Sequence, residues 1–338
     1  MQDSGLIKFT PLTVLIGYNG SGKSSLIEGL ELIQTIGTTD VDEAVGDWQG
    51  FEHIWHKGVP HEPIRQRDGR VVLTNPMSLQ FDGSALDAAR PRSVSATIEL
   101  TLGESGQLVV CDEEIVFGRW WSYRRDSSGL VIAKRPPKEV AAARMGNDPV
   151  FRRRPNAKGV LSNLDRLSED ETLIKHILHD VVWGWQFVAL APNGMGGSSP
   201  LKRTGARILF DEDGSNLAEY LLEIKNQDEA AFRDIFETLR YVLPYAVDLE
   251  PAISEELEQS VYLRFSEQGF NIPGWVMSQG TLRLLGLLAL LRHPSPPTLL
   301  VIEEIENGLD PRVIHLIVEE MLQATGSGRT QIIVTTHS

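Results

Sequence analysis

The stretch GYNGSGKSS, residues 17–25, fits the G-x-x-x-x-G-K-[ST] phosphate-loop pattern without a gap. The pattern carries weight only where it follows a strand and opens a helix. Both conditions are met. Upstream, Leu12-Thr13-Val14-Leu15-Ile16 is an apolar, β-branched run of the kind expected for a strand buried on both faces. Downstream, Leu26, Leu30 and Ile33 recur at i, i+4 and i+7 on a helix predicted to start near Lys23. Gly17, Gly20 and Gly22 let the backbone turn tightly and aim its N–H groups at a polyphosphate, with Asn19, Ser21 and Ser25 in the same cradle. Lys23 is then placed to reach the β- and γ-phosphates, and the Ser24 hydroxyl to ligate Mg²⁺. The bland alternative is a glycine-rich turn that binds nothing.

At 338 residues and 41% hydrophobic content the chain can bury one large core or two ordinary ones. A net charge of −14 argues against a surface that binds nucleic acid everywhere, while leaving room for a local basic patch. The single cysteine, Cys111, excludes an internal disulfide and a cysteine-based zinc site. No signal-like apolar stretch precedes the phosphate loop. The longest apolar run, residues 284–291, falls far short of the roughly 20 residues of a membrane span. The expected setting is the cytoplasm, away from membranes.

Strand-like alternation over residues 93–100, and again over 108–110 and 115–117, predicts a β-rich region after the first helix. Composition changes between Lys134 and Lys158, where eight basic residues face only Glu139 and Asp148, a local charge of +6. Prolines 136, 137, 149 and 155 interrupt regular structure there, so the segment reads as a linker or insert. Residues 162–182 and 215–241 read as helices, the second capped at Ser215-Asn216. His53, His56 and His61 lie close together beside Trp48 and Trp55, a pattern that favours packing over metal ligation. His176 and His179 share one helical face without further ligands.

Residues 299–304, LLVIEE, form an apolar strand ending in two carboxylates. Beside a phosphate loop, the first carboxylate helps to hold the Mg²⁺ shell and the second orients the attacking water. Three further elements surround it: Ser278-Gln279-Gly280-Thr281 at the start of an apolar helix, Glu306 to Pro311, and a last apolar strand leading to His337.

With these four elements in order, the sequence resembles the ABC-class ATPase heads, the group that includes SMC proteins, RecF and OLD-type ATPases. More narrowly it is similar to bacterial AAA-type ATPases with an S-x-G-T signature and an I-E-E-x-E-x-G-L Walker B element. The resemblance spans nearly the whole chain. It implies an α/β P-loop NTPase fold with an ABC-type head, a mixed-sheet lobe plus a helical lobe. Lobe I would take residues 1–133 and 296–338, the basic insert 134–160, and the helical lobe 161–295. By the same resemblance Gly17 to Ser24 is Walker A and Ser278 to Thr281 the signature. Glu303 stands where most such heads carry Asp, Glu304 matches the catalytic glutamate, Asp310 the D-loop, and His337 the switch histidine that senses the γ-phosphate. ATP and Mg²⁺ are the implied cofactors. The implied assembly is a homodimer in which the signature of one copy, through Ser278 and Gly280, caps the ATP held by the other. The implied output is control of DNA or of a separate nuclease or effector protein, in DNA repair or anti-phage defence. Its charge, and not the resemblance, makes the segment 134–158 the place for any DNA contact, with a solvated loop or a docking strip for an acidic partner protein as the alternative. Relatives continue with a helix and strand after the switch histidine, whereas this sequence ends at Ser338. The Q-loop glutamine stays open among Gln34, Gln49 and Gln186. Two alternatives remain beside this reading. A transporter's ATP-binding subunit is disfavoured because 255 residues separate Lys23 from Ser278; a nucleotide-gated scaffold would bind ATP without turnover.

Overall fold

A computed structural model of the protein describes residues 4–46, 48–66, 69–87, 90–118, 121–126, 130–134, 151–153, 159, 161, 179–201, 208–254 and 259–337. The architecture is α/β, with a parallel sheet among its sheets. Two compact units emerge, Met1–Leu6 with Ser24–Gly184, and Ile7–Lys23 with Trp185–Ser338. This partition differs from the expected lobe limits.

The first unit takes most of helix α1 (Lys23–Thr38), then α2 (Val41–Gly46) and α3 (Phe51–Ile54). A two-stranded ladder of Pro63–Arg65 and Val71–Leu73 comes next. Beyond it lies an antiparallel six-stranded meander: Met77–Asp87, Arg90–Leu102, Leu108–Phe117, Trp121–Asp126, Leu130–Lys134 and Phe151–Arg153. The alternation of residues 93–100 places Val94, Ala96, Ile98 and Leu100 on the buried face, against Ile36, Val41 and Phe51 from the helices. The buried stripe of α1 is Ile27, Leu32, Ile33 and Ile36; Leu26 and Leu30 are only half-buried. Two buried carboxylates fasten the chain after the meander. Asp40 Oδ1 accepts from Val41 N and Gly159 N, each at 2.8 Å, and Glu113 Oε1 accepts from Leu161 N at 2.9 Å. Within the expected irregular insert, Phe151–Arg153 is a strand that pairs antiparallel with Leu130–Lys134 through Leu130↔Arg153 and Ile132↔Phe151. Residues 135–150 and 154–158 of the basic segment, and 162–178 of the helix predicted at 162–182, lie outside the described residues. Residues 179–183 form a π-turn. His61 packs on Trp55 with ring centroids 3.6 Å apart, and its ring nitrogens face the carbonyls of Thr74 and His56.

The second unit is built on a four-stranded parallel sheet in the order β1 (Leu12–Ile16), β16 (Gln331–Thr336), β15 (Leu299–Ile302), β10 (Trp185–Val188). β15 is buried at every residue and β16 at all but Gln331, as their apolar runs predict. β1 departs from expectation. It is an edge strand whose Val14 and Ile16 are 47% and 68% exposed, because alternate side chains leave one face of an edge strand uncovered.

The run 215–241, predicted as one helix, is two: α5 (Leu217–Gln227) and α6 (Glu229–Val242). Asp228 breaks it, and its Oδ1 accepts from Ala230 N and Ala231 N as the cap of α6. Asn216 does not cap α5 with its side chain; it ties Asp211 N and Leu209 O instead. An antiparallel sheet of Ser199–Pro200, Ala246–Ser254, Ser260–Glu267 and Phe270–Pro273 was not foreseen from the sequence.

Helix α7 (Gln279–Leu291) is buried all round from Leu282 onward, as a helix apolar on every side must be. It packs beside α4 (Pro192–Met195), and α8 (Pro311–Gly326) returns the chain to β16. The turn after α4 meets the turn before α7 backbone to backbone. A Cβ on Gly196 would lie 2.8 Å from the Gly274 carbonyl carbon, with no side chain able to move aside. Gly196→Ala is therefore expected to destabilise the protein by about 1–3 kcal/mol in denaturant unfolding. Gly286→Ala meets only the flexible end of Met195 and should lose less. Equal losses at the two positions would contradict this ranking.

Candidate nucleotide site

The parallel register brings the C-terminal ends of β1, β16 and β15 to one edge of the sheet, through Ile16↔Thr336 and Ile302↔Val334. Gly17 comes directly after β1, His337 after β16, and Glu303 and Glu304 after β15, all of them residues that the sequence patterns singled out. In open α/β sheets this is the edge where ligands bind.

The loop after β1 closes tightly. Ser21 N donates to Tyr18 O at 3.1 Å, and a Cβ on Gly17 would lie 2.6 Å from Ser21 Oγ. Gly20 and Gly22 take φ +78° and +92°, a region open to glycine. Among the described residues nothing lies within 4 Å of a Cβ built on Gly20. The Lys23 ammonium donates to the carbonyls of Gly17 and Tyr18, within reach of whatever occupies the loop. Asn19 lies in the exposed part of the loop, and Ser24 and Ser25 form the first turn of α1. A tight glycine-rich loop carrying an ammonium suits a polyphosphate.

Glu304 is the focal residue of the β15 exit. Its φ is +47°, a left-handed conformation that costs a non-glycine residue about 1–2 kcal/mol. The neighbours hold it there. Glu304 N donates to Thr335 Oγ1 at 2.9 Å, Ile305 N to Thr335 O at 3.1 Å, and Asn307 N to Glu304 O at 2.9 Å. The exposed Glu304 carboxylate lies 3.2 Å from His337 Nε2 through Oε1 and 3.3 Å from Asn307 Nδ2 through Oε2. Glu303 N donates to Val188 O at 2.9 Å, which locks the first carboxylate residue to β10.

Glu306, to which the sequence patterns assign no role, accepts from His337 N at 2.7 Å and so anchors the histidine backbone. Burial pushes its carboxyl up, but the backbone hydrogen bonds from His337 and Glu306, the Thr336 side chain and the His337 ring together outweigh this, and the group is held below the usual carboxylate range. Its grip on His337 is complete above the ordinary carboxylate pKa and is lost only as pH falls through the lowered one.

At the start of α7, Ser278 Oγ accepts from Thr281 N at 3.2 Å and lies 2.7 Å from Thr281 Oγ1. A Cβ on Gly280 would lie 3.2 Å from Gly308 O, so the signature segment abuts the turn beyond Glu304. Asp310 caps α8 by accepting from Arg312 N at 2.9 Å, and the Arg312 side chain hydrogen-bonded to it holds its carboxyl at about 2. The candidate Q-loop residues scatter. The Gln34 amide donates to Val182 O, the buried Gln186 amide to Phe210 O, and Gln49 sits at φ +62°.

Residues 151–338, more than half of the chain, match the family described as "AAA domain, putative AbiEii toxin, Type IV TA system". The chain belongs to this AAA family. The matched segment of the AAA domain includes the signature, the β15 carboxylates and His337; the phosphate loop precedes it and rests on its own pattern and on the β1–α1 geometry. A search of the curated proteins finds no match to the chain. Solved structures similar to it include an SMC head bound to the C-winged helix domain of ScpA, at 13% identity and TM-score 0.49, covering 98% of this chain and 84% of that one. The SMC head domain from Thermotoga maritima is 14% identical at TM-score 0.40, over 98% and 82% of the two chains. An SMC head with an extended coiled coil, bound to the C-terminal domain of ScpA derived from Pyrococcus furiosus, is 13% identical at TM-score 0.47, over 98% and 85%. Among the described residues no helix is long and apolar enough to cross a membrane.

The strained glutamate gives a test of its own. Glu304→Gly removes the left-handed penalty and adds about 1 kcal/mol of unfolded-state freedom, so urea unfolding should show stability flat or slightly raised. Glu304→Val, β-branched at the same φ, should lose more than about 1 kcal/mol. A glycine variant clearly weaker than wild type would mean that Glu304 supports the fold.

Proposed function

We propose that the protein binds and hydrolyses ATP with Mg²⁺, and that two copies close on two nucleotides to control DNA or a partner effector. The observation that carries this reading is Glu304, held at the exit of β15 on the sheet edge that also presents the phosphate loop, with His337 3.2 Å away. Lys23 and the loop N–H groups hold the phosphates, and the Ser24 hydroxyl and Glu303 carboxylate are the donors for the metal. Bound Mg²⁺ supplies charge neutralisation at the β- and γ-phosphates. Glu304 orients a water and takes its proton as the water oxygen bonds to the γ-phosphorus and the bond to the ADP oxygen breaks. His337 Nε2, beside the same carboxylate, fixes its direction and faces the γ-phosphate. Ser278, Gly280 and the N-terminus of α7 make a second anion site for the nucleotide of another copy. Asp310 stands beside that contact.

Glu304→Gln should keep nucleotide affinity and lose at least about a hundredfold in turnover. Ser278→Arg should likewise keep affinity yet abolish ATP-driven dimerisation in light scattering. Wild-type hydrolysis in the first variant sinks the glutamate assignment; an unchanged dimer in the second sinks the sandwich.

A partner-directed output is supported by the family description, which names a toxin of a toxin–antitoxin system. Its DNA form draws on the +6 carried by residues 134–158 against a net charge of −14. Reversing Arg152, Arg153 and Arg154 to Glu should weaken duplex binding at low salt and flatten its salt dependence. Unchanged affinity and slope would leave a protein effector as the target.

A further inference from the structure

We infer that Arg283 is a positioning residue that ties the signature helix to the backbone of Glu304, so that the state of the helix start sets the catalytic glutamate. The inference rests on the hydrolytic reading of the site. Arg283 lies five residues after Ser278, in a helix otherwise apolar from Leu282 to Leu291, and is 1% exposed. Its guanidinium joins two strand exits: Nη1 donates to Leu190 O at 2.8 Å, beyond β10, and Nη2 to Glu304 O at 2.5 Å and Glu303 O at 3.4 Å, beyond β15.

Packing alone would be served by a leucine or methionine, without the burden of a buried charge. Burial pulls this guanidinium below its ordinary value, and the Glu304 and Glu306 charges oppose that pull. A planar fork of donors can hold two carbonyls on separate chain segments at once; an ammonium presents one point. The carbonyl it holds belongs to a residue at φ +47°, whose N–H donates to Thr335 Oγ1. The peptide groups flanking the Glu304 Cα are thus held by α7 and by β16. A second contact joins the same partners, where Gly280 abuts Gly308 O at the end of the loop that begins with Glu304. Helix α7 therefore grips this loop near both ends. A nucleotide from another copy, drawing on the start of α7, pulls on the helix, and Arg283 transmits that pull to the Glu304 carbonyl.

The test uses the full chain with ATP turnover, titration of a fluorescent ATP analogue and melting temperature. Arg283→Met is expected to change analogue affinity less than about threefold and to lower kcat at least about thirtyfold, short of the loss from removing the glutamate itself. In a Glu304→Gln background the same substitution should cause little further loss, because residues acting as a unit are not additive. Arg283→Lys, which keeps charge and one donor group, should restore part of the rate. An active wild type whose Met variant keeps its kcat overturns the inference, as does an equal fold-loss in both backgrounds. If the Met variant fails to fold, Arg283→Lys decides: a wild-type kcat overturns the inference, and a lowered kcat absent from the Glu304→Gln background upholds it. A wild type that binds the analogue without turnover removes the hydrolytic reading and this inference with it.

Discussion

The parallel pairing of β1 with β16, and of β16 with β15, is the constraint on which the site depends. Parallel strands in register deliver their C-terminal ends to one edge, and there the chain turns into the phosphate loop, His337 and the carboxylate pair. None of these groups holds its position through its own side chain alone. The loop is set by the end of β1, the histidine by the Glu306 carboxylate on its N–H, and Glu304 by Thr335 and Arg283. The chemistry is borne on backbone that the sheet positions.

That backbone is not relaxed. Glu304 occupies a conformation that a glycine would take at no steric penalty, and its side chain faces solvent rather than the core. Strain of this kind persists only where surroundings over-determine it. The hydrogen bonds that converge on residues 303–307 are such surroundings, and they draw on β10, β16 and α7 together.

Much of this was legible in the residues. The phosphate loop, the β15 exit and the start of the apolar helix at Ser278 are local patterns, each with a run of apolar residues beside it, and local patterns survive folding. The exposed face of β1 was not legible, since an apolar run reads the same whether the strand is central or at an edge. The break at Asp228 was hidden by the helical period on either side of it. The antiparallel sheet from Ala246 to Pro273 was missed because its strands were weighed as part of a helical half. Arg283 could have been found: a lone charge inside an apolar decapeptide has to be satisfied by something, and only the fold shows that the partners are carbonyls. Thr335 and Glu306 gave no such signal, being ordinary polar residues whose hydrogen bonds are made across strands.

The pairing of β1 with β16 also has a temporal side. Leu12 and Ile332 are 320 residues apart, so the strand that supports the phosphate loop emerges from the ribosome long before its neighbour. Contacts of such separation are slow to form, because the intervening chain must be closed before they reward it. Until β16 arrives, β1 has no sheet to join and the loop after it no fixed edge to stand on. A nascent or cleaved chain lacking residues beyond about 330 would carry the complete glycine-rich motif and still have no scaffold for it.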